Sequence, residues 1–152
     1  MMTFSQKETT LLEDLKSHEE LCIDKYAKYS AEACDPQLKD LFTQLGQKEQ
    51  QHLDTVNQIM SGNVPQMSGG NQQESQQKPT YQYQGTNEDK PKDKFLCSDL
   101  LSTEKHVSSV YDTCIFEFKD TNVRNVLNHI QKEEQEHGEK IYDYMSQNGM
   151  YS

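Results

Sequence analysis

With 152 residues, the chain has room for one domain, or one bundle plus a flexible segment. Its 25 acidic side chains outnumber 15 basic ones, and the formal net charge of −10 argues against a phosphate-backbone ligand and favours cations or basic partners. No apolar run approaches the roughly 20 residues of a membrane span, and the opening Met-Met-Thr-Phe-Ser-Gln-Lys-Glu lacks a signal-peptide core, so a cytosolic start is expected.

Only 32% of the residues are hydrophobic and the mean hydropathy is −1.00, which would favour disorder if the apolar residues were spread evenly. They fall instead in four stripes of three- and four-residue steps. The first predicted helix, 9–34, carries Leu12, Leu15, Cys22, Tyr26 and Tyr29, with Glu19 in the missing step. Asp35-Pro36 reads as an N-cap with proline in the first turn, opening a second helix over 37–61 with Leu38, Leu41, Phe42, Leu45, Val56 and Ile59. There Glu49 and His52 fill the gap.

Residues 62–94 are rich in Gly, Pro, Gln, Asn, Ser and Lys and have no apolar period, as expected of a flexible crossover. Gln72, Gln73, Gln76, Gln77, Lys78, Tyr81, Gln82, Tyr83 and Gln84 would give exposed amides, an amine and phenols, suited to a solvated spacer or to a cross-linking strand. A third helix, 95–119, holds Leu96, Leu100, Val107, Tyr111 and Cys114 with Glu104 in the seam. After the cap candidate Asp120, a fourth, 121–146, holds Val123, Val126, Leu127, Ile130 and Ile141, interrupted by Glu134 and His137.

The interruptions repeat. Glu49-Gln-Gln-His52 and Glu134-Gln-Glu-His137 lie 85 residues apart, and the same shift brings Glu19 onto Glu104 without a gap. It also brings Leu15 onto Leu100, Tyr26 onto Tyr111 and Asp35 onto Asp120, the mark of a duplicated helical hairpin. One Glu from each of two helices, with Glu-x-x-His from each of two others, is the ligand pattern of ferritin-like di-iron and di-manganese bundles. The expected fold is therefore all-α: one ferritin-like four-helix bundle over residues 1–152, with duplicated hairpins 9–61 and 95–147 joined by a long crossover linker.

The spacing also sets the level. Glu19 and Glu49 lie about 24 and 21 Å from the Asp35 turn at ~1.5 Å per residue, so they face each other across the hairpin. Glu104 and Glu134 repeat this around Asp120, while His52 and His137 share their glutamates' face. Burying four carboxylates and two imidazoles unpartnered costs several kcal/mol per ion. Two divalent metals would neutralise the four carboxylates, with Glu19, Glu49, His52, Glu104, Glu134 and His137 as ligands. Iron or manganese suits such a set and zinc less so; a hydrogen-bonded polar core without metal is the alternative.

Tyr26 and Tyr111 read as core aromatics, with contact to the ligands or a redox role as the alternative. His18, His106 and His129 lie off the stripes and read as surface residues. Cys22, Cys34, Cys97 and Cys114 form no Cys-x-x-Cys pair and read as free thiols in a reducing compartment.

Three stretches carry a resemblance: Lys-Phe-Leu-Cys-Ser-Asp (94–99), Leu-Leu-Ser-Thr-Glu-Lys-His-Val-Ser-Ser-Val-Tyr (100–111) and Gln-Lys-Glu-Glu-Gln-Glu-His-Gly-Glu-Lys-Ile-Tyr-Asp-Tyr-Met (131–145). They resemble the spore coat protein F family of endospore-forming bacteria, mainly over the second hairpin. The resemblance implies a ferritin-like fold and a structural role at the spore coat, reached after synthesis in the mother-cell or forespore cytoplasm. It implies other coat proteins as partners, with self-association left open, and it does not by itself imply a catalysed reaction. The ligand set alone points to a different class, a di-iron or di-manganese oxidoreductase acting on oxygen or peroxide; iron storage is a weaker third reading.

Overall fold

The protein is described here by a computed structural model covering residues 2–66 and 78–151. It is all-helical: α1 is Gln6–Glu32, α2 Pro36–Met60, α3 Lys90–Glu117 and α4 Thr121–Gln147. Among the described residues no helix is long and apolar enough to cross a membrane.

Short turns at Asp35 and Asp120 fold the helices into two hairpins, α1 on α2 and α3 on α4. In each turn the aspartate caps the next helix, its carboxylate accepting from Gln37 N (2.9 Å) or Val123 N (2.9 Å). The cross-hairpin contacts give the direction. Lys7 meets Glu117 at one end, Tyr26 meets Glu104 in the middle, and Cys34 N meets Asp93 at the other, so α1 and α3 are antiparallel. Lys48 with Glu133 and Asp35 with Tyr144 make α2 and α4 antiparallel as well. Helix α3 therefore starts at the end where α2 starts and runs parallel to it, as in the expected ferritin-like arrangement.

Two helix starts differ from expectation. Ser5 and Glu8 form a capping box, Ser5 N donating to Glu8 Oε1 (2.9 Å) and Glu8 N to Ser5 Oγ (3.1 Å), so α1 begins at Gln6 and not at 9. Helix α3 begins at Lys90, with Asp89 as N-cap and Pro91 in its first turn, and takes residues 90–94 from the expected linker.

The linker differs too. Gln72, Gln73, Gln76 and Gln77 lie outside the described residues. Tyr81 and Tyr83 are not exposed phenols: both are half-buried and packed against the core. The Tyr81 ring meets Tyr144 edge-on at 5.1 Å, its N–H donates to Gln147 Oε1 (2.7 Å), and Tyr83 OH donates to Asp93 Oδ2 (2.8 Å).

The duplication governs burial. All fourteen buried positions of α1 and α2 fall, 85 residues on, on buried positions of α3 and α4. The apolar ones mostly differ between repeats, whereas Glu19, Tyr26, Glu49 and His52 recur unchanged as Glu104, Tyr111, Glu134 and His137. Apolar residues form two clusters, one around Leu41, Phe42, Leu100 and Tyr144, the other around Leu15, Val56, Val126 and Leu127. At about 1.5–3 kcal/mol per buried large aliphatic side chain, these clusters offset the cost of the polar layer they flank.

Candidate metal centre

The fold brings all six predicted side chains together. Glu19, Glu49, His52, Glu104, Glu134 and His137 are each at most 2% exposed. They form two overlapping sets, Glu19/Glu49/His52/Glu134 and Glu49/Glu104/Glu134/His137, within each of which the potential ligand atoms lie within 4.8 Å of one another. Glu49 and Glu134 belong to both sets. Each set could hold a metal ion.

The contacts exchange between repeats, as a pseudo-two-fold axis requires. His52 Nδ1 is 2.8 Å from Glu134 Oε1, and His137 Nδ1 is 2.7 Å from Glu49 Oε1. The two rings stack nearly parallel, their centroids 5.7 Å apart. Tyr26 OH donates to Glu104 Oε1 (2.5 Å) and Tyr111 OH donates to Glu19 Oε1 (2.7 Å). The tyrosines are thus core aromatics that also grip a glutamate of the opposite repeat. Burial, followed by the nearby carboxylates, raises both phenol pKa values well above the ordinary range and keeps them as donors.

The electrostatics are those of acids crowded out of water. Burial raises Glu49, helped by its contact with Glu19, and it raises Glu134, helped by Glu104; both carboxyls tend to keep a proton. Burial would also raise Glu104, but bonds with Glu134, His137 and Tyr26 outweigh it and hold the group down at about 2. For His52, burial works to lower the pKa, and contacts with Glu133, Glu134 and Glu49 overcome it and raise it.

Protein groups leave the cluster incompletely satisfied. Among the described residues no N–H or hydroxyl donor reaches the buried Glu19 Oε2, Glu104 Oε2 or Glu134 Oε2. An orphaned buried carboxylate oxygen is costly unless a cation takes it. The donor set, four carboxylates with one Nδ1 from each histidine, suits two hard to borderline divalent ions.

Glu133 was not foreseen. Its Oε1 lies 3.0 Å from His52 Nε2, on the outward side of the ring, and its Oε2 lies 2.8 Å from Lys48 Nζ. Against burial, which would raise it, bonds with His52 and Lys48 bring its pKa down to about 2. The offset puts Lys48 and Glu133 at the same position of the two repeats, so opposite charges at one repeat position were the available signal. His129, exposed as expected, also reaches Glu133 Oε1 at 3.2 Å. His106 is exposed, and His18 is half-buried against it with ring centroids 5.2 Å apart.

The four cysteines are free thiols; Cys22, Cys97 and Cys114 are buried. Burial pushes the Cys114 thiol up to about 11 and raises Cys22 and Cys97 further, which leaves them unreactive.

No solved structure matches the chain. Over 60 residues it is 35% identical to the Uncharacterized protein YusN of Bacillus subtilis (strain 168), a stretch that is 40% of this chain and 54% of that protein. The chain thus spans about half the length of the curated relative it matches. The Coat F domain family matches residues 92–152, which hold all but the first two residues of α3, all of α4, and the ligand candidates Glu104, Glu134 and His137. The second hairpin of this chain is therefore similar to the Coat F domain family.

Proposed function

We propose that this protein is a structural or accessory component of the spore coat whose bundle holds a dinuclear metal centre. Glu19 and Glu104 would be its terminal carboxylates, Glu49 and Glu134, which belong to both sets, its shared carboxylates, and His52 and His137 its nitrogen ligands. The observation that carries the reading is the trio of buried oxygens on Glu19, Glu104 and Glu134 that no N–H or hydroxyl donor reaches among the described residues, inside a four-carboxylate cluster. Iron or manganese fits the donors best. Such ions, when bound, supply positive charge that stabilises the buried acids and a capacity for Lewis-acid or one-electron chemistry.

The chain's own residues fix how the ligands stand. The Tyr26 and Tyr111 phenols hold one oxygen of each terminal glutamate, leaving the other buried and beyond reach of an N–H or hydroxyl donor among the described residues. Glu133 Oε1 stands 3.0 Å from the outer nitrogen of His52, placed to accept its proton when Nδ1 gives its lone pair to a metal. The coat assignment draws on the Coat F match over 92–152. A fluorescent fusion in the producing organism should appear during sporulation and gather at the forespore surface; constant vegetative expression with a diffuse signal would contradict it.

A second reading, a di-metal oxidoreductase acting on oxygen or peroxide, is favoured by one observation: an open cleft reaches Glu104 and Glu134. Oxidase or catalase activity of iron- or manganese-loaded protein, lost in a Glu49→Gln variant, would decide for it.

A further inference from the structure

The two repeats agree at every proposed ligand and disagree beside them. Directly after His137 stands Gly138, where the first repeat has Leu53 after His52. One helical turn from Glu104 stands Ser108, where the first repeat has Ile23. On the α3/α4 face the smaller pair leaves a cleft of about 470 Å³. Its walls include Leu101, Gly138 and Tyr142, and Glu104 and Glu134 line it. Tyr142 and Tyr151, 43% and 44% exposed, stand edge to face at 4.7 Å beside it. A smaller cleft on the α1/α2 face, about 340 Å³, is bounded by Ile23, Phe42 and Gly46 and is lined by none of the six ligand candidates.

We infer that the centre is reached from one side: a small monodentate ligand of a few atoms, neutral or singly anionic, enters through the α3/α4 cleft and binds at the Glu104–His137 half. This rests on the metal reading above and adds the side and the class of ligand. Two observations point to a ligand there. Glu104 and Glu134 are almost wholly buried yet line the cleft, and each has a buried oxygen that no N–H or hydroxyl donor reaches among the described residues. The cleft lining is apolar over most of its area, with Lys105, Ser108, Gln135 and Glu139 as its other polar residues. This suits a small weakly hydrated molecule, and the carboxylates of Glu104, Glu134 and Glu139 disfavour a strongly hydrated multivalent anion.

Gly138 is the gate. A Cβ built at this position meets Leu101 Cδ1 at 3.6 Å, an ordinary contact, so alanine fits without strain. Leucine would extend further into the cleft. Leu53 shows that this helix position tolerates leucine beside a Glu-x-x-His pair, so the variant restores the residue its own repeat already uses.

The test uses the full chain loaded with cobalt(II), which takes nitrogen and oxygen donor sets and reports its coordination in the visible spectrum, and azide as the small ligand. Wild type, Gly138→Ala, Gly138→Leu and Leu53→Ala should all bind two cobalt ions per chain. Azide should shift the spectrum of wild type, Gly138→Ala and Leu53→Ala with similar affinity, and that of Gly138→Leu at least tenfold more weakly. Equal azide affinity in wild type and Gly138→Leu, or a cobalt spectrum that azide never perturbs, would overturn one-sided access while leaving the metal reading intact. Failure of wild type to take cobalt would overturn the metal reading and this inference with it.

Discussion

Lys48 and Glu133 occupy the same position of the two repeats and bind each other, Nζ to Oε2 at 2.8 Å. The pair breaks the pseudo-two-fold symmetry beside the centre. Glu133 gives His52 a carboxylate on its outer nitrogen, whereas the repeat-related residue available to His137 is a lysine, which can accept nothing. Two metals held in the proposed centre would therefore be inequivalent, and Glu133→Gln should weaken one by about 10- to 100-fold and leave the other nearly unchanged. Stepwise calorimetric titration would read this; two equally weakened steps, or none, would contradict it.

Metal uptake should depend on pH in a stated direction. Glu49 and Glu134 have pKa values raised above the ordinary 4.5, so the metal-free protein keeps protons that a metal must expel. Affinity should rise with pH, and the heat of binding should vary with the buffer's ionisation enthalpy. The same shifts set stability without metal. A raised folded pKa stabilises fully below the unfolded value and loses that contribution as pH climbs toward the folded one. His52, also raised, acts in the same sense. Metal-free protein should thus unfold more easily as pH rises above 4.5, and metal should reverse the trend. Buffer-independent heats would argue against proton displacement.

The tyrosine grip is reciprocal, so its loss should be too. Tyr26→Phe and Tyr111→Phe each remove the donor from one oxygen of Glu104 or Glu19 while leaving the ring packed. Each should cost about 1–3 kcal/mol of stability by urea unfolding without metal. A large cost at one site only would mean that the repeats are not energetically equivalent in the core.

Asp93 and Glu8 occupy one repeat position and reach across to the turn of the other hairpin, but unequally. Asp93 is fully buried and accepts from Cys34 N (2.8 Å), Asp35 N (3.0 Å) and Tyr83 OH (2.8 Å), while Glu8 accepts across the bundle from Lys119 N alone (3.3 Å). Asp93→Ala, which orphans buried donors, should cost about 2–4 kcal/mol, and Glu8→Ala about 1 kcal/mol through its capping box. Thermal unfolding of both variants gives the comparison, and the reverse order would contradict it.

The helices and the six convergent residues were legible because each polar residue sits in an apolar stripe it interrupts, and two copies of the pattern made chance implausible. The start of α1 was also written in the sequence, as Ser5-Gln6-Lys7-Glu8, a capping box lying just before the apolar stripe begins. Glu133 escaped because it lies one residue off the stripe and its role depends on what α2 presents across the bundle. Tyr81 and Tyr83 pack through isolated contacts with Tyr144 and Asp93, and a segment without a period gives no sign of where it will lie. The Gly138 cleft is a property of volume, visible in sequence only as a glycine where the repeat has leucine.

Elemental analysis of protein purified without chelator, then reloaded with iron(II) or manganese(II), tests the central claim most directly. The account predicts two divalent ions per chain in the wild type and their loss in the Glu49→Gln/Glu134→Gln variant, which stays folded by circular dichroism. A wild type that stays metal-free under saturating iron and manganese, or a variant that still holds both ions, would contradict it.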